Sequence, residues 1–384
     1  MKQLLFVTNG HGEQAIAARI AKELDAIGGF TIDHLSLVGD DVATEPLLHA
    51  VGPRRRMPSG GLVAMGNVRN LLRDLRAGLL THTFAQLRFL GGKKGRYDLA
   101  VGIGDTFAYV MARRAAARKT VFVGTAKSVY VAPYGRAEIR ILRSADRIFV
   151  RDRATADDLC QRGANAIAPG NVIVDLFDED LQTDGTGIAG RALAIFPGSR
   201  ESAYSDAVFA CAIFRELLGK MPDLEASLSI SPGLAVDRFG RALRADGWDV
   251  MATSEQSIPF ALYTNGKCAI TAWTGSPGAM LEAAQIVLGQ AGTVNEAAAS
   301  RGIPVVAFER MPHSAQWYRQ RQQGLLDGAL VVLHGTAEEA AAELGALFLD
   351  EARRDCMSAI GRERMGPSGG ARAIATQISE LAQC

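Results

Sequence analysis

Residues 285–300 read QIVLGQAGTVNEAAAS. Residues 285–288 form an apolar run of strand length, and Gly289 to Gly292 form a glycine-rich turn. Thr293 then begins a run of small residues with Glu296 on its first turn, which reads as a helix. A short strand that breaks through glycines into a helix is the repeating unit of a parallel α/β layer.

Working outward, the same unit recurs. Residues 193–196 are a strand, Pro197-Gly198-Ser199-Arg200-Glu201 a turn, and 206–218 a helix. Further strands are expected at 225–230, 249–252, 268–271 and 304–308. The first half follows the same scheme, with a strand at 4–7 and a helix at 13–26 that lines up Ile16, Ile20 and Leu24. Its later strands are expected at 31–38, 99–103, 120–123, 147–150 and 166–168. Residues 178–187, acidic and rich in Gly and Thr, bury too little apolar surface to fold alone and read as a linker. The expected fold class is therefore α/β, with two doubly wound units at 1–175 and 176–369. The tail, about 370–384, returns to helix and is a candidate to pack back on the first unit.

Composition narrows the functional classes. The 384 residues suit two domains of about 150–200 residues each. A net charge of +1 argues against a general nucleic-acid binder. The five cysteines are widely spaced, with no C-x-x-C pair and no Cys/His cluster, so neither a disulfide framework nor a metal site is expected. Free thiols in a reducing cytoplasm fit better. The N-terminal apolar run is too short for a signal-peptide core, and no apolar stretch reaches the roughly 18–20 residues that span a bilayer. Asp178-Glu179-Asp180 has D-x-D spacing but lies in the linker, and reads as solvated charge.

Three turns carry the chemistry. Gly10-His11-Gly12-Glu13-Gln14-Ala15 is a G-x-G-x-x-A turn between strand and helix. Alone it fits a nicotinamide or flavin site, but the acid expected about 20 residues on would be Asp33, early in its strand. Asp40 and Asp41 lie farther still, so a glycine turn without a dinucleotide is the favoured reading. In the second turn Gly198 frees the backbone, Ser199 can cap or donate, and Arg200 can hold a phosphate in a forked geometry. The alternative there is a surface Arg200 paired with Glu201. In the third, two phosphates fit the N–H groups at a helix start, with Thr293 donating and Glu296 placed to accept from ribose hydroxyls. Its alternative is a capping box between Thr293 and Glu296.

These motifs resemble the GT-B glycosyltransferases, and most closely the lipid-A-disaccharide synthase family. Gly198-Ser199-Arg200 is similar to that family's P-G-S-R turn, and Gly292-Thr293 through Glu296-Ala297 to Gly302-Ile303-Pro304-Val305-Val306 is similar to its donor motif. Val129-Tyr130-Val131-Ala132-Pro133 looks like its Y-V-S-P segment, and Gly12-Glu13 stands where the family has Gly-Asp. The chain departs at Tyr134-Gly135-Arg136 and at Asn9-Gly10-His11, so the resemblance is that of a divergent member.

The resemblance implies two Rossmann-like domains facing across a cleft, the first binding the acceptor and the second the nucleotide-sugar donor. The donor would be held by Gly198, Ser199, Arg200, Gly292, Thr293, Glu296 and Gln316, with uridine as the family-based choice of base. It further implies inverting displacement at the anomeric carbon, which needs a base for the acceptor hydroxyl. Asp105 follows a strand end near the family's catalytic Asp and is the preferred base, assisted by Glu13 or His11. Its alternative role is N-cap of a helix beginning at Thr106. No cofactor is implied.

Residues 54–96 break the rhythm. Arg54, Arg55, Arg56, Arg69, Arg73, Arg76, Arg88, Lys93, Lys94 and Arg96 face one acid, Asp74. Leu72, Leu75, Leu79 and Leu87 fall near helical spacing, with Leu80 and Phe84 widening the stripe. A basic amphipathic helix fits an anionic membrane surface, and with it a lipid or glycolipid acceptor reached from the cytoplasm. The plainer alternative is a core-facing helix with a solvated basic side. Three other functions stay open: a UDP-sugar 2-epimerase, a binding protein without catalysis, and a Rossmann oxidoreductase.

Overall fold

The computed structural model describes residues 1–38, 46–55, 75–177, 191–251, 261–265, 268–309 and 316–383. These form two compact units, Met1–Leu176 with Ser368–Cys384, and Phe177–Pro367. The linker and D-x-D readings at 178–187 fall outside the described residues, as do Arg56, Arg69, Leu72, Arg73 and Asp74.

In the first unit the described strands are β1 (Lys2–Thr8), β2 (Phe30–Ser36), β3 (His49–Ala50), β4 (Leu99–Gly104), β5 (Lys119–Gly124), β6 (Arg147–Val150) and β7 (Ala166–Ile167). They pair in parallel in the order β3-β2-β1-β4-β5-β6-β7. The chain winds outward from β1 to β3, then returns to the other side of β1 as β4. The switch point, where ligands bind open α/β sheets, therefore lies between β1 and β4.

β1 needs no polar face because both sides are covered. Leu4 and Phe6 pack with Ile16, Ile20 and Leu24 of helix His11–Ile27, and with Ile374 and Ile378 of helix Gly370–Gln383. Leu5 and Val7 point the other way, onto Ala108, Met111 and Ala112 of helix Thr106–Arg113. Gly102 in β4 is required there, because a Cβ would collide with the backbone of Tyr109. The C-terminal helix is pinned by Asp175, whose carboxylate oxygens accept from Gly369 N and Ala371 N, each over 2.6 Å. Two charge-assisted bonds thus satisfy amides at a helix start.

The second unit's described strands are β8 (Arg191–Phe196), β9 (Leu224–Ser229), β10 (Asp249–Met251), β11 (Ala261–Asn265), β12 (Cys268–Trp273), β13 (Ile286–Gly289), β14 (Val305–Phe308) and β15 (Leu330–Leu333). Their order is β10-β11-β12-β9-β8-β13-β14-β15, with the switch point between β8 and β13. β10–β11 and β11–β12 are antiparallel. The strand-turn-helix rhythm implies only parallel strands and does not mark β11 and β15 here or β3 in the first unit. Asn265-Gly266, a pair favoured in hairpin loops, was the cue for β11–β12.

The basic segment also differs from the expected stripe. On helix Leu79–Gly91, Leu79 and Leu87 pack toward the core, whereas Leu80 and Phe84 are about 70% exposed, at 70% and 72%. His82 and Gln86 are buried in their stead. Gln86 Nε2 lies within 3.4 Å of the carbonyls of Ser36, Leu37 and Pro53 and 2.9 Å from His82 Nε2. A polar side chain that satisfies loop carbonyls outcompetes an apolar one at this position. No helix among the described residues is long and apolar enough to cross a membrane.

Candidate active site

In the second unit, the two glycine turns meet at the switch point. Gly289 pairs with Phe196 in the β13–β8 register, and Gln290 N donates to Phe196 O over 2.8 Å. Gly198 adopts φ 102°, a conformation open to glycine, and its Cα faces the carbonyl of Gln290. Gly198, Ser199 and Arg200 thus stand beside the turn leading to Gly292 and Thr293. Ser199 and Arg200 are exposed.

Helix Gly292–Ser300 starts at Ala291 with no side-chain cap. With Ala291 at the cap, Thr293 lies within the first turn and not at the N-cap position that a capping box with Glu296 requires; Thr293 is exposed and Glu296 is buried, 8% exposed. The first-turn amides therefore face the switch point with the positive end of the helix dipole, a site suited to an oxyanion. Glu201 is engaged by the Arg238 guanidinium, which also lies 4.0 Å over the Tyr204 ring. Gln316 begins helix Gln316–Leu326, and its side chain is outside the description.

Two residues that the sequence reading missed hold this turn. Gln290 Nε2 donates to Phe308 O at the end of β14 over 2.7 Å. Asn295 Nδ2 donates to Gly289 O over 3.1 Å and to Gln322 Oε1 over 3.3 Å. The bonds of Gln290 to Phe308 and of Asn295 to Gln322 join residues 18 and 27 apart, and no spacing in the sequence marks them.

In the first unit, the ends of β1 and β4 gather polar groups. Asp105 Oδ1 accepts from Ala108 N over 3.0 Å and so caps helix Thr106–Arg113. Its Oδ2 accepts from Asn9 Nδ2 over 2.8 Å. The side chain of Glu13 lies over Gly10 and Gly104, where a Cβ on either glycine would overlap it. Glu13 and Asp105 are therefore close neighbours. His11 begins its helix, and its side chain is outside the description.

Around Asp105 the structure adds groups absent from the sequence reading. Glu138 accepts from Lys127 Nζ over 2.6 Å, Gly135 N over 2.8 Å and Thr106 Oγ1 over 3.1 Å. Burial alone would push the Glu138 carboxyl up, but these three donors and the lysine charge hold it below the usual range. Tyr134 is buried with its hydroxyl against Gly124; burial first, then Glu138, Asp152 and Asp105, push its phenol well up. Asp33 accepts from Tyr97 OH over 2.7 Å from within β2, which engages the acid nearest dinucleotide spacing; Asp40 and Asp41 lie outside the described residues.

No protein-family profile matches the chain, and no curated protein matches it by sequence. Solved structures do match its fold. The calicheamicin glycosyltransferase CalG4 aligns with 100% of this chain and 98% of its own, at 15% identity and TM-score 0.63. MurG from Acinetobacter baumannii covers 99% of this chain and 100% of its own, at 14% identity and TM-score 0.57. A UDP-GlcNAc 2-epimerase from Neisseria meningitidis, solved bound to UDP-GlcNAc, covers 98% and 100%, at 13% identity and TM-score 0.56. The chain has the two-unit α/β fold common to GT-B glycosyltransferases and UDP-GlcNAc 2-epimerases.

Proposed function

We propose that this chain is an inverting glycosyltransferase, resembling lipid-A-disaccharide synthases, that moves a sugar from a UDP-sugar to a lipid acceptor at the cytoplasmic membrane face. The observation that carries the donor half is the meeting of two glycine turns at one switch point beside an uncapped helix start. The diphosphate would lie on the amides of Gly292 and Thr293 with Arg200 and Ser199 across from them, and Glu296 would take the ribose. Such preorganised donors stabilise the charge that develops on the leaving diphosphate.

The first unit, 1–176 with 368–384, would take the acceptor. Asp105 would accept its hydroxyl proton, with Glu13 or His11 assisting. Asn9 and the helix cap fix the Asp105 carboxylate while each oxygen keeps a lone pair free. Support for a lipid comes from the outward faces of helices Leu79–Gly91 and Thr106–Arg113, which share one core cluster. They expose Leu80 and Phe84 (70% and 72%), and Phe107 and Val110 (44% and 38%). From 75 to 137 the sequence holds eleven Lys and Arg against Asp98 and Asp105. Apolar tips within a basic field suit an anionic headgroup layer.

A UDP-sugar 2-epimerase is the second reading, favoured by the carboxylates Glu13, Asp105 and Glu138 gathered at the strand ends of one sheet, since epimerisation needs proton transfer but no acceptor. Incubation with UDP-GlcNAc and membrane lipid separates the two. Free UDP with a glycosylated lipid supports transfer. An epimerised nucleotide sugar without lipid product would overturn it.

A further inference from the structure

Asn295, on helix Gly292–Ser300, and Gln322, on helix Gln316–Leu326, are 2% and 5% exposed. The Asn295 amide reaches back over its own turn to the Gly289 carbonyl and sideways to Gln322 Oε1. Because the Gly289 carbonyl can only accept, the amide must present its nitrogen there. The approach is possible because Gly289 lacks a side chain; a Cβ would overlap Asn295 Oδ1. Among the described residues that buried Oδ1 has no hydrogen-bond partner. A buried acceptor left unmet is uncommon and is tolerated where the group is needed for another bond.

The tie reaches three elements. Gly289 is in register with Phe196, at the start of the Pro197–Arg200 turn. The same amide closes the turn that leads to Gly292 and Thr293. Gln322 belongs to the helix that begins at Gln316.

We propose that Asn295 and Gln322 are positioning residues for the donor diphosphate. They hold the turn amides in one geometry and in fixed register with the helix that begins at Gln316. This rests on the donor reading above. A phosphate site built from backbone N–H groups works only while those groups converge. A glycine turn left untied samples many conformers, and ordering it on binding weakens affinity. Neither side chain touches the ligand in this scheme; both act through the turn.

Calorimetric titration of the full-length chain with UDP tests it, using Asn295→Leu, Gln322→Met, Gln322→Glu and the Asn295→Leu/Gln322→Met double variant. Asn295→Leu should weaken UDP about tenfold and Gln322→Met about threefold, while Gln322→Glu, which keeps an acceptor, should stay within about twofold of wild type. The double variant should be no weaker than Asn295→Leu alone, because both changes cut the same tie. Thermal midpoints of the same samples separate a merely structural role, which lowers the midpoint and leaves the affinity of the folded protein alone. Unchanged UDP affinity in folded variants, or fully additive losses, overturns the proposal. If Asn295→Leu does not fold, the Gln322→Met and Gln322→Glu pair still decides it. Wild-type protein that fails to bind UDP removes the donor reading and this inference together. UDP binding that needs Glu296 but neither Asn295 nor Gln322 removes this inference only.

Discussion

Asn9 Nδ2 donates to Asp105 Oδ2 over 2.8 Å, joining the ends of the neighbouring parallel strands β1 and β4 at the first unit's switch point. The other Asp105 oxygen caps helix Thr106–Arg113. The residue thus has a structural role alongside its proposed catalytic one, and the two can be separated. Asp105→Asn keeps a capping oxygen, and its new NH2 can donate to Asn9 Oδ1 once the Asn9 amide turns over, so stability should fall little, while transfer should fall about 100-fold or more through loss of the base. Asp105→Ala should lose both, with about 1 kcal/mol of stability. Steady-state kinetics with urea unfolding of each variant checks this. An Asp105→Asn enzyme with wild-type kcat leaves Asp105 as a cap alone.

The donor site makes a separate demand. Arg200→Ala and Glu296→Ala should each weaken UDP severalfold or more, about 1–3 kcal/mol for a charge-assisted bond. Glu296 is buried and Arg200 exposed, so of the two only Glu296→Ala should also lower thermal stability. Calorimetry with both variants folded and binding unchanged would remove the assignment.

Membrane contact should depend on the outward apolar tips as well as on charge. The protein should sediment with anionic vesicles at low salt and release as salt rises. Leu80→Ser with Phe84→Ser should abolish most binding without unfolding, since both side chains are exposed. Protein that remains in the supernatant with anionic vesicles at low salt makes a soluble acceptor the better reading.

Stability should fall in mild acid. His34 is buried, with Nε2 2.9 Å from Thr8 Oγ1, and Arg54 donates to its carbonyl over 2.8 Å. Burial first, then the Arg54 charge, lower its pKa from 6.5 to about 4. The folded protein therefore keeps His34 neutral while the unfolded chain takes up a proton below pH 6.5. The stabilisation is complete above about pH 6.5 and is lost as pH falls toward 4, by roughly 3 kcal/mol in all. Urea unfolding across this window should show that slope, reduced in His34→Gln. Parallel profiles for the two proteins would exclude His34 as its source.

The strand, glycine turn and helix rhythm was legible in the sequence, because each signal is local. Apolar runs such as 4–7 and 193–196 and the glycines at 10, 198 and 292 dictate backbone conformation over a few residues. Those same signals placed Arg200, Thr293 and Glu296 on turns and helix starts. Strand order was not legible, because parallel pairing joins residues far apart in the chain, and the antiparallel edge at β10–β12 went unread. Tertiary structure alone decided that Gly198 faces Gln290, that Lys127 and Thr106 converge on Glu138, and that Asn295 ties Gly289 to Gln322. It also turned helix Leu79–Gly91 so that Gln86 enters and Phe84 leaves. Hydrophobic spacing alone would place them the other way. The carbonyls of Ser36, Leu37 and Pro53 reverse that choice, since buried acceptors need a donor and only the folded chain brings one to them.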